Sequence, residues 1–469
     1  MSAKTANPVV GPSKPRLIQV LGPGLITGAS DDDPSGIATY SQAGAQFGFG
    51  LSWTMLFSYP LMSVVQEISA RIGRTTGRGI AGNMRQYYPN WLLQSVVALL
   101  LIGNTINIGA DLGAMGDSLK LIIGGPTLLY VVLFAAISIG LQVFMKYKRY
   151  VAVLKWLTLS LFAYFGTVMV VHVPWGQVAK GLFIPQLSPD ASFWTSVVAI
   201  FGTTISPYLF FWQASQEVED QKAKPRRKPL KRAPEQAENA IERIRLDTYI
   251  GMGFSNLVAL AIMITAGATL HAKGVTDIQS TSQAADALRP VAGEFAFAIF
   301  ALGVIGTGLL AIPVLAGSAG YALGEARKWP VGLERAPLAA KAFYATIAIA
   351  TLIGASLNFT PINPIKALYW SAVVNGVVAV PVMAVMMLMT GRSDVMGKIT
   401  VPPLMRLIGW MATVIMAAAA AADKTKKPAG LGPAGKGLGG HWGISAALDS
   451  GCVEMFQAVN NVPSHLGSL

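Results

Sequence analysis

The sequence predicts an all-α polytopic membrane protein, and three observations predict it. Its 469 residues are 53% hydrophobic and only 13% charged, where soluble domains carry about a quarter charged residues. Mean hydropathy is +0.50. Apolar stretches of bilayer length, about 20 residues each, recur along the chain. The lysines and arginines fall in alternate loops, as the positive-inside rule requires of a chain threaded back and forth.

Eleven candidate spans have approximate cores at 17–43, 50–70, 91–115, 126–145, 150–172, 191–214, 248–271, 292–323, 340–357, 363–390 and 402–422. With the N-terminus cytoplasmic, 27 of the 36 Lys and Arg residues lie on the cytoplasmic side, five on the outer side and four in the C-terminal tail. The formal net charge of +13 is accounted for by those basic loops, so no nucleic-acid partner is implied. The partner is a lipid bilayer, and the basic run within 216–245 is an orientation-setting loop or a contact for anionic headgroups. Residues 1–16 read as a cytoplasmic N-terminus without a cleavable signal pattern, 17–422 as the eleven-helix domain, and 423–469 as a flexible Gly-rich tail without an assigned role. Such a chain belongs in a bacterial inner membrane. The single cysteine, Cys452, excludes an internal disulfide, and no zinc-type Cys/His spacing occurs. The sequence does not set the oligomeric state.

The first span holds the feature around which the rest is organised. Asp31, Asp32 and Asp33 stand in an apolar segment and are followed by Pro34, Ser35 and Gly36. An acid at bilayer depth costs at least ~2.5 kcal/mol on insertion scales and marks a functional site by default. Pro34 and Gly36 break the helix where the acids sit, and a broken membrane helix is tolerated only where it is buried or lines a cavity. The sixth span carries a second break at Thr203, Thr204, Ile205, Ser206, Pro207 and Tyr208. Spans one and six open two five-helix halves, so matched breaks there point to an inverted repeat with its site between them.

These residues resemble the Nramp family of divalent-metal transporters. The resemblance runs from Gly22-Pro-Gly through Asp33-Pro-Ser-Gly to Gly44-Ala-Gln-Phe-Gly-Phe-Gly, continues in Arg71-Ile-Gly-Arg-Thr-Thr-Gly-Arg, and covers about 17–422. It implies the LeuT-type inverted repeat of 5+5 helices plus an eleventh, with helices 1 and 6 discontinuous. It implies a secondary transporter whose only metal is its divalent substrate, without a cofactor. The family's first-helix Asp falls on Asp33, and its metal-binding Asn is replaced by Gly36. The carbonyl-contributing position of the sixth helix is Thr203, the metal-binding Met is Ser206 and the His is Tyr208. The tenth-helix Gln is Ala372, with Asn375 one turn on.

The expected metal ligands are therefore Asp33, Thr203 and Ser206, with Asp31, Asp32, Ser35, Gly36, Tyr208 and Asn375 around them or along the ion path. Losing a thioether leaves an oxygen-only site suited to hard ions, Mg2+ first and Mn2+ next, and losing the Asn side chain makes room for a hydrated ion. A proton path through Asp111 and Lys341 would make the protein a symporter; the same pair could be structural and transport uncoupled. Glu67 and Arg71, four residues apart, read as a structural ion pair. The rivals are a transporter of an organic cation or amino acid on the same fold, a non-transporting sensor, and an intramembrane enzyme. Asp33 would repel a substrate carboxylate, and no Ser/His, His-Glu-x-x-His or Gly-x-Ser-x-Gly arrangement supports an enzyme.

Overall fold

The computed structural model describes residues 23–145, 161–223, 226–361 and 363–424. The N-terminal segment with the start of the first span, the first half of the expected fifth span and the tail beyond Lys424 lie outside the described residues.

The first span is two helices, α1 (Pro23–Asp31) and α2 (Pro34–Phe47). Then come α3 (Trp53–Thr76), the short α4 (Ile80–Tyr87), α5 (Asn90–Ile123) and α6 (Thr127–Phe144). The described part of the fifth span is α7 (Phe162–Val170), followed by α8 (Trp175–Phe183). The sixth span is again divided, into α9 (Ala191–Thr204) and α10 (Pro207–Lys222). The remaining spans are α11 (Ala237–Thr269), α12 (Ala296–Arg327), α13 (Lys341–Leu357), α14 (Pro364–Thr390) and α15 (Pro403–Lys424). Among the described residues, seven stretches are long and apolar enough to cross a membrane unaided. The other expected spans fall on the divided first helix, on α3 with its buried charges, on the partly described fifth and on the 17-residue α13.

Proline position decides which helices break. Pro60, Pro313 and Pro381 sit inside continuous helices. Pro34 and Pro207 instead open the second half of a divided helix, each behind an extended residue, Asp33 at ψ 172° and Ser206 at ψ 130°. Proline at the first helical position loses nothing, because that N–H has no intrahelical acceptor.

Several helices outrun the expected spans. The 34 residues of α5 cover about 50 Å at 1.5 Å each, well beyond a hydrocarbon core of ~30 Å. α10 and α11 extend through Lys222 and back to Ala237, which shortens the basic loop expected over 216–245. The buried Glu217–Arg243 pair holds these extensions together. Leu230, fully buried in that loop, donates its N–H to the Arg74 carbonyl, and Lys231 donates to that of Thr75 at 3.1 Å, so the loop satisfies the end of α3.

The divided helices are held by close backbone approach. A Cβ added to Gly28 would lie 2.3 Å from the Gly251 carbonyl oxygen, and one on Gly44 the same distance from that of Met263, so both halves of the first span press on α11. Gly202 of α9 would meet the Ala372 carbonyl of α14 at 2.0 Å. Small residues at crossings are the usual device where lipid gives no hydrophobic drive between helices. Outward faces of α6, α13 and α15 carry exposed Leu129, Leu352 and Val414, as lipid contact requires. The Gly44→Val substitution is expected to destabilise the fold by on the order of 2 kcal/mol through overpacking. Thermal unfolding of the purified protein in detergent measures this, and an unchanged midpoint would remove the packing argument.

Candidate functional site

Asp33 is shaped by its place in the chain. Preceding a proline, it is kept from the helical region, and from that extended position its carboxylate caps α2. Oδ1 accepts from the Ser35 hydroxyl at 2.6 Å and the Gly36 N–H at 2.8 Å. Oδ2 accepts from Asn107 Nδ2 of α5 at 3.1 Å and the Tyr208 hydroxyl of α10 at 3.3 Å. The two oxygens are thus unlike. Oδ1 is locked by short local bonds, whereas Oδ2 is held by longer bonds from two distant helices and is the oxygen an arriving cation can claim.

The second break closes on itself. The Ser206 hydroxyl lies 2.8 Å from the Gly202 carbonyl and 2.9 Å from that of Thr203, and its single hydrogen is shared between these orphan carbonyls at the end of α9. Thr203 and Ser206 are therefore in contact across the break, and the lone pairs left on the Ser206 hydroxyl and the Thr203 carbonyl stay available to an ion. A Cβ on Gly36 would find Thr203 Oγ1 at 3.2 Å and the Tyr40 ring at 3.3 Å. The room expected from the missing side chain at 36 is thus largely filled, by the Thr203 hydroxyl, the Asp31 carbonyl and the Tyr40 ring.

Asp31 and Asp32 do not line an open approach. Both are at most 1% exposed, and Ser255 Oγ of α11 lies 2.7 Å from Asp31 Oδ2 and 3.1 Å from Asp32 Oδ1. They stand in the sealed seam between α1 and α11. Tyr208, beside donating to Asp33, lies 3.2 Å from the Ser30 carbonyl. Asn375 is buried with neither side-chain amide atom hydrogen-bonded and lies against Gly103 of α5.

Asp111 is fully buried, with the Ser35 backbone N–H at the start of α2 beside its carboxylate, but Lys341 does not join it. Gly109 packs on Gly354, and Lys341 is thirteen residues before Gly354 on α13, about 20 Å along a helix, where it is exposed. The ninth span enters from its basic end, so its lysine stays at the surface. Glu67 accepts from Arg71 Nε at 2.8 Å, the expected structural pair.

Sequence reasoning missed Asn107, Ser371 and Ser255. Asn104, Asn107 and Asp111 recur at helical spacing in an otherwise apolar span, a polar stripe that could have pointed to the first. Ser371 donates to Asn107 Oδ1 at 2.7 Å. Among the described residues no three His, Cys, Asp or Glu side chains converge into a ready cage, so hydroxyl, amide and carbonyl oxygens must supply most ligands of any cation here.

The site is shut on both sides. Toward the N-terminal side, Gln66 bonds the Leu209 carbonyl at 2.9 Å and Gln213 at 2.6 Å, Gln213 bonds Thr248 at 2.9 Å, and Gly24 donates to Asp247 at 2.7 Å. On the other side Ile37, Ala114, Phe300, Val304 and Ile365 surround a cavity of about 10 Å³, room for roughly one water.

A family model described as natural resistance-associated macrophage protein-like matches residues 24–422, the whole extent of both broken helices and the spans around them. The chain belongs to the Nramp family. It is accordingly an integral, multi-pass membrane protein. A divalent metal cation transporter, MntH, of Deinococcus radiodurans is 25% identical over 414 residues, covering 86% of this chain and 88% of that relative. One of the same name from Klebsiella pneumoniae is 25% identical over 85% of this chain and 92% of its own length. A crystal structure of a manganese transporter from Eremococcus coleocola superposes with a TM-score of 0.74 over 96% of both chains, at 16% identity. That likeness shows the Nramp fold, the LeuT-type inverted repeat of two five-helix halves with an added eleventh helix.

Ser255→Ala removes the hydroxyl that Asp31 and Asp32 share, and leaving buried acceptors without it is expected to cost roughly 1–3 kcal/mol. A thermal midpoint equal to that of the parent would show that the seam does not depend on Ser255.

Proposed function

We propose that this Nramp-family chain is a secondary transporter that moves divalent metal cations across a bilayer by alternating access between its two broken helices. The observation that carries this reading is Asp33. A carboxylate buried at mid-span keeps one oxygen on local donors and the other on two longer bonds from α5 and α10, so a cation can displace the second pair without dismantling the break. Relatives across nearly the whole length bear the name divalent metal cation transporter, and a manganese transporter shares the fold.

The choice of ion follows from the donors. The side chains bonded to Asp33 offer hydroxyl and amide groups, and a serine hydroxyl stands at 206 where a thioether would favour softer metals. Oxygen ligands suit hard ions, so Mg2+ and Mn2+ are the substrates of this reading. Two closures of different chemistry, hydrogen-bonded on one side and apolar on the other, suit alternating access, since each can open while the other holds. Proton symport belongs to the same reading through Asp111, which is buried beside the site. The alternating basic loops favour a cytoplasmic N-terminus in a bacterial inner membrane.

Purified protein in liposomes is expected to take up Mg2+ and Mn2+, faster with an inward proton gradient, and Asp33→Ala to fall to the level of empty liposomes. Parent-like uptake by Asp33→Ala would overturn the site assignment, and uptake indifferent to the gradient would remove symport alone. Ser206→Met is expected to tighten Cd2+ binding, measured by calorimetry. Unchanged Cd2+ affinity would mean that residue 206 does not face the ion.

A further inference from the structure

The hydrogen bonds around Asn107 are one proton short. Ser371 Oγ lies 2.7 Å from Asn107 Oδ1 and 2.7 Å from the Leu368 carbonyl. Both partners only accept, and a hydroxyl has a single hydrogen. In the present orientation the two acceptors share one hydrogen, in a seam where every participant is buried.

The two ends of an asparagine amide are nearly isosteric, so a half-turn exchanges them without displacing neighbours. After that turn Nδ2 donates to Ser371 Oγ, and Ser371 donates to Leu368, so each contact has one hydrogen. The cost appears at the other end. Asn107 Oδ1 then stands where Nδ2 stands now, 3.1 Å from Asp33 Oδ2, and two acceptors face each other. A cation between them removes that conflict. Two adjacent ligands of an octahedral ion at 2.0–2.1 Å are separated by about 2.8–3.0 Å, close to the spacing already built here.

We infer that Asn107 is a direct ligand of the transported cation, its amide turning over on loading to present Oδ1 beside Asp33 Oδ2. This inference rests on the transport function proposed above. In the empty site the amide donates to Asp33 and stands in for the missing positive charge; in the loaded site it coordinates, with Ser371 holding it turned. The amide that the first helix lacks at Gly36 is in effect supplied from α5.

The test separates an accepting from a donating role, using Mn2+ binding by calorimetry on the full-length protein in detergent. Asn107→Leu can do neither and is expected to weaken binding by roughly tenfold or more; Asn107→Ala serves if the leucine variant does not elute as a single peak. Asn107→Asp keeps an oxygen and has no hydrogen to give, so it is expected to bind Mn2+ at least as tightly as the parent. Its thermal midpoint is expected to rise more on Mn2+ addition than the parent's, because the metal relieves two facing carboxylates. Binding by Asn107→Asp as weak as that of Asn107→Leu would overturn the inference, since a residue that only positions Asp33 by donation is lost in both. If the parent binds Mn2+, Asp33→Ala does not, and the aspartate variant fails, only the inference about Asn107 falls. A parent that neither binds nor moves Mn2+ overturns it together with the transport reading.

Discussion

Asp33 is a buried carboxylate with a donor for every part of both oxygens, and the arrangement of this molecule follows from how it is matched. Its four donors come from three places: the start of α2, the middle of α5 and the start of α10. Each imposes a condition on the chain. The local pair requires the helix to break, because only a capping residue can turn its side chain onto the N–H groups that follow. The remote pair requires α5 and α10 to cross the break at close range. The glycine crossings at Gly28, Gly44 and Gly202 bring the surrounding backbones near enough for this. The breaks, the small-residue seams and the buried acid are one construction.

The same matching explains why the site is both stable and displaceable. A fully satisfied carboxylate keeps the empty protein folded, and an uncompensated one would cost several kcal/mol. Local donors hold one oxygen in every state, while donors on separate helices hold the other and can leave with them. Motion of α10 would carry Tyr208 away from Asp33, so ion entry and helix movement act on the same bond.

Much of this was legible in the sequence, for identifiable reasons. The spans followed from apolar runs, and the breaks followed from prolines standing beside acids or hydroxyls rather than in plain apolar sequence, as at Pro313 and Pro381. Asp33 stood out because charge at bilayer depth needs a purpose. What stayed hidden depended on distance between helices. The Thr203 hydroxyl beside Gly36, Ser255 beneath Asp31 and Asp32, and Asn107 on Asp33 are contacts between residues far apart in the chain, which periodicity does not relate. The proposed Asp111–Lys341 pair failed for the same reason: sequence gives a helix its face but not its depth against a neighbour. Ser206 was identified as a site residue, but its bond to the Thr203 carbonyl is a property of the break's geometry.

The central claim is that Asp33 Oδ2, between α5 and α10, is where the cation sits. Anomalous diffraction from crystals grown with Mn2+ tests it most directly. The account predicts one peak per chain, about 2 Å from Asp33 Oδ2. A peak instead between Asp31, Asp32 and Ser255, with Asp33 still holding its four present donors, would contradict it.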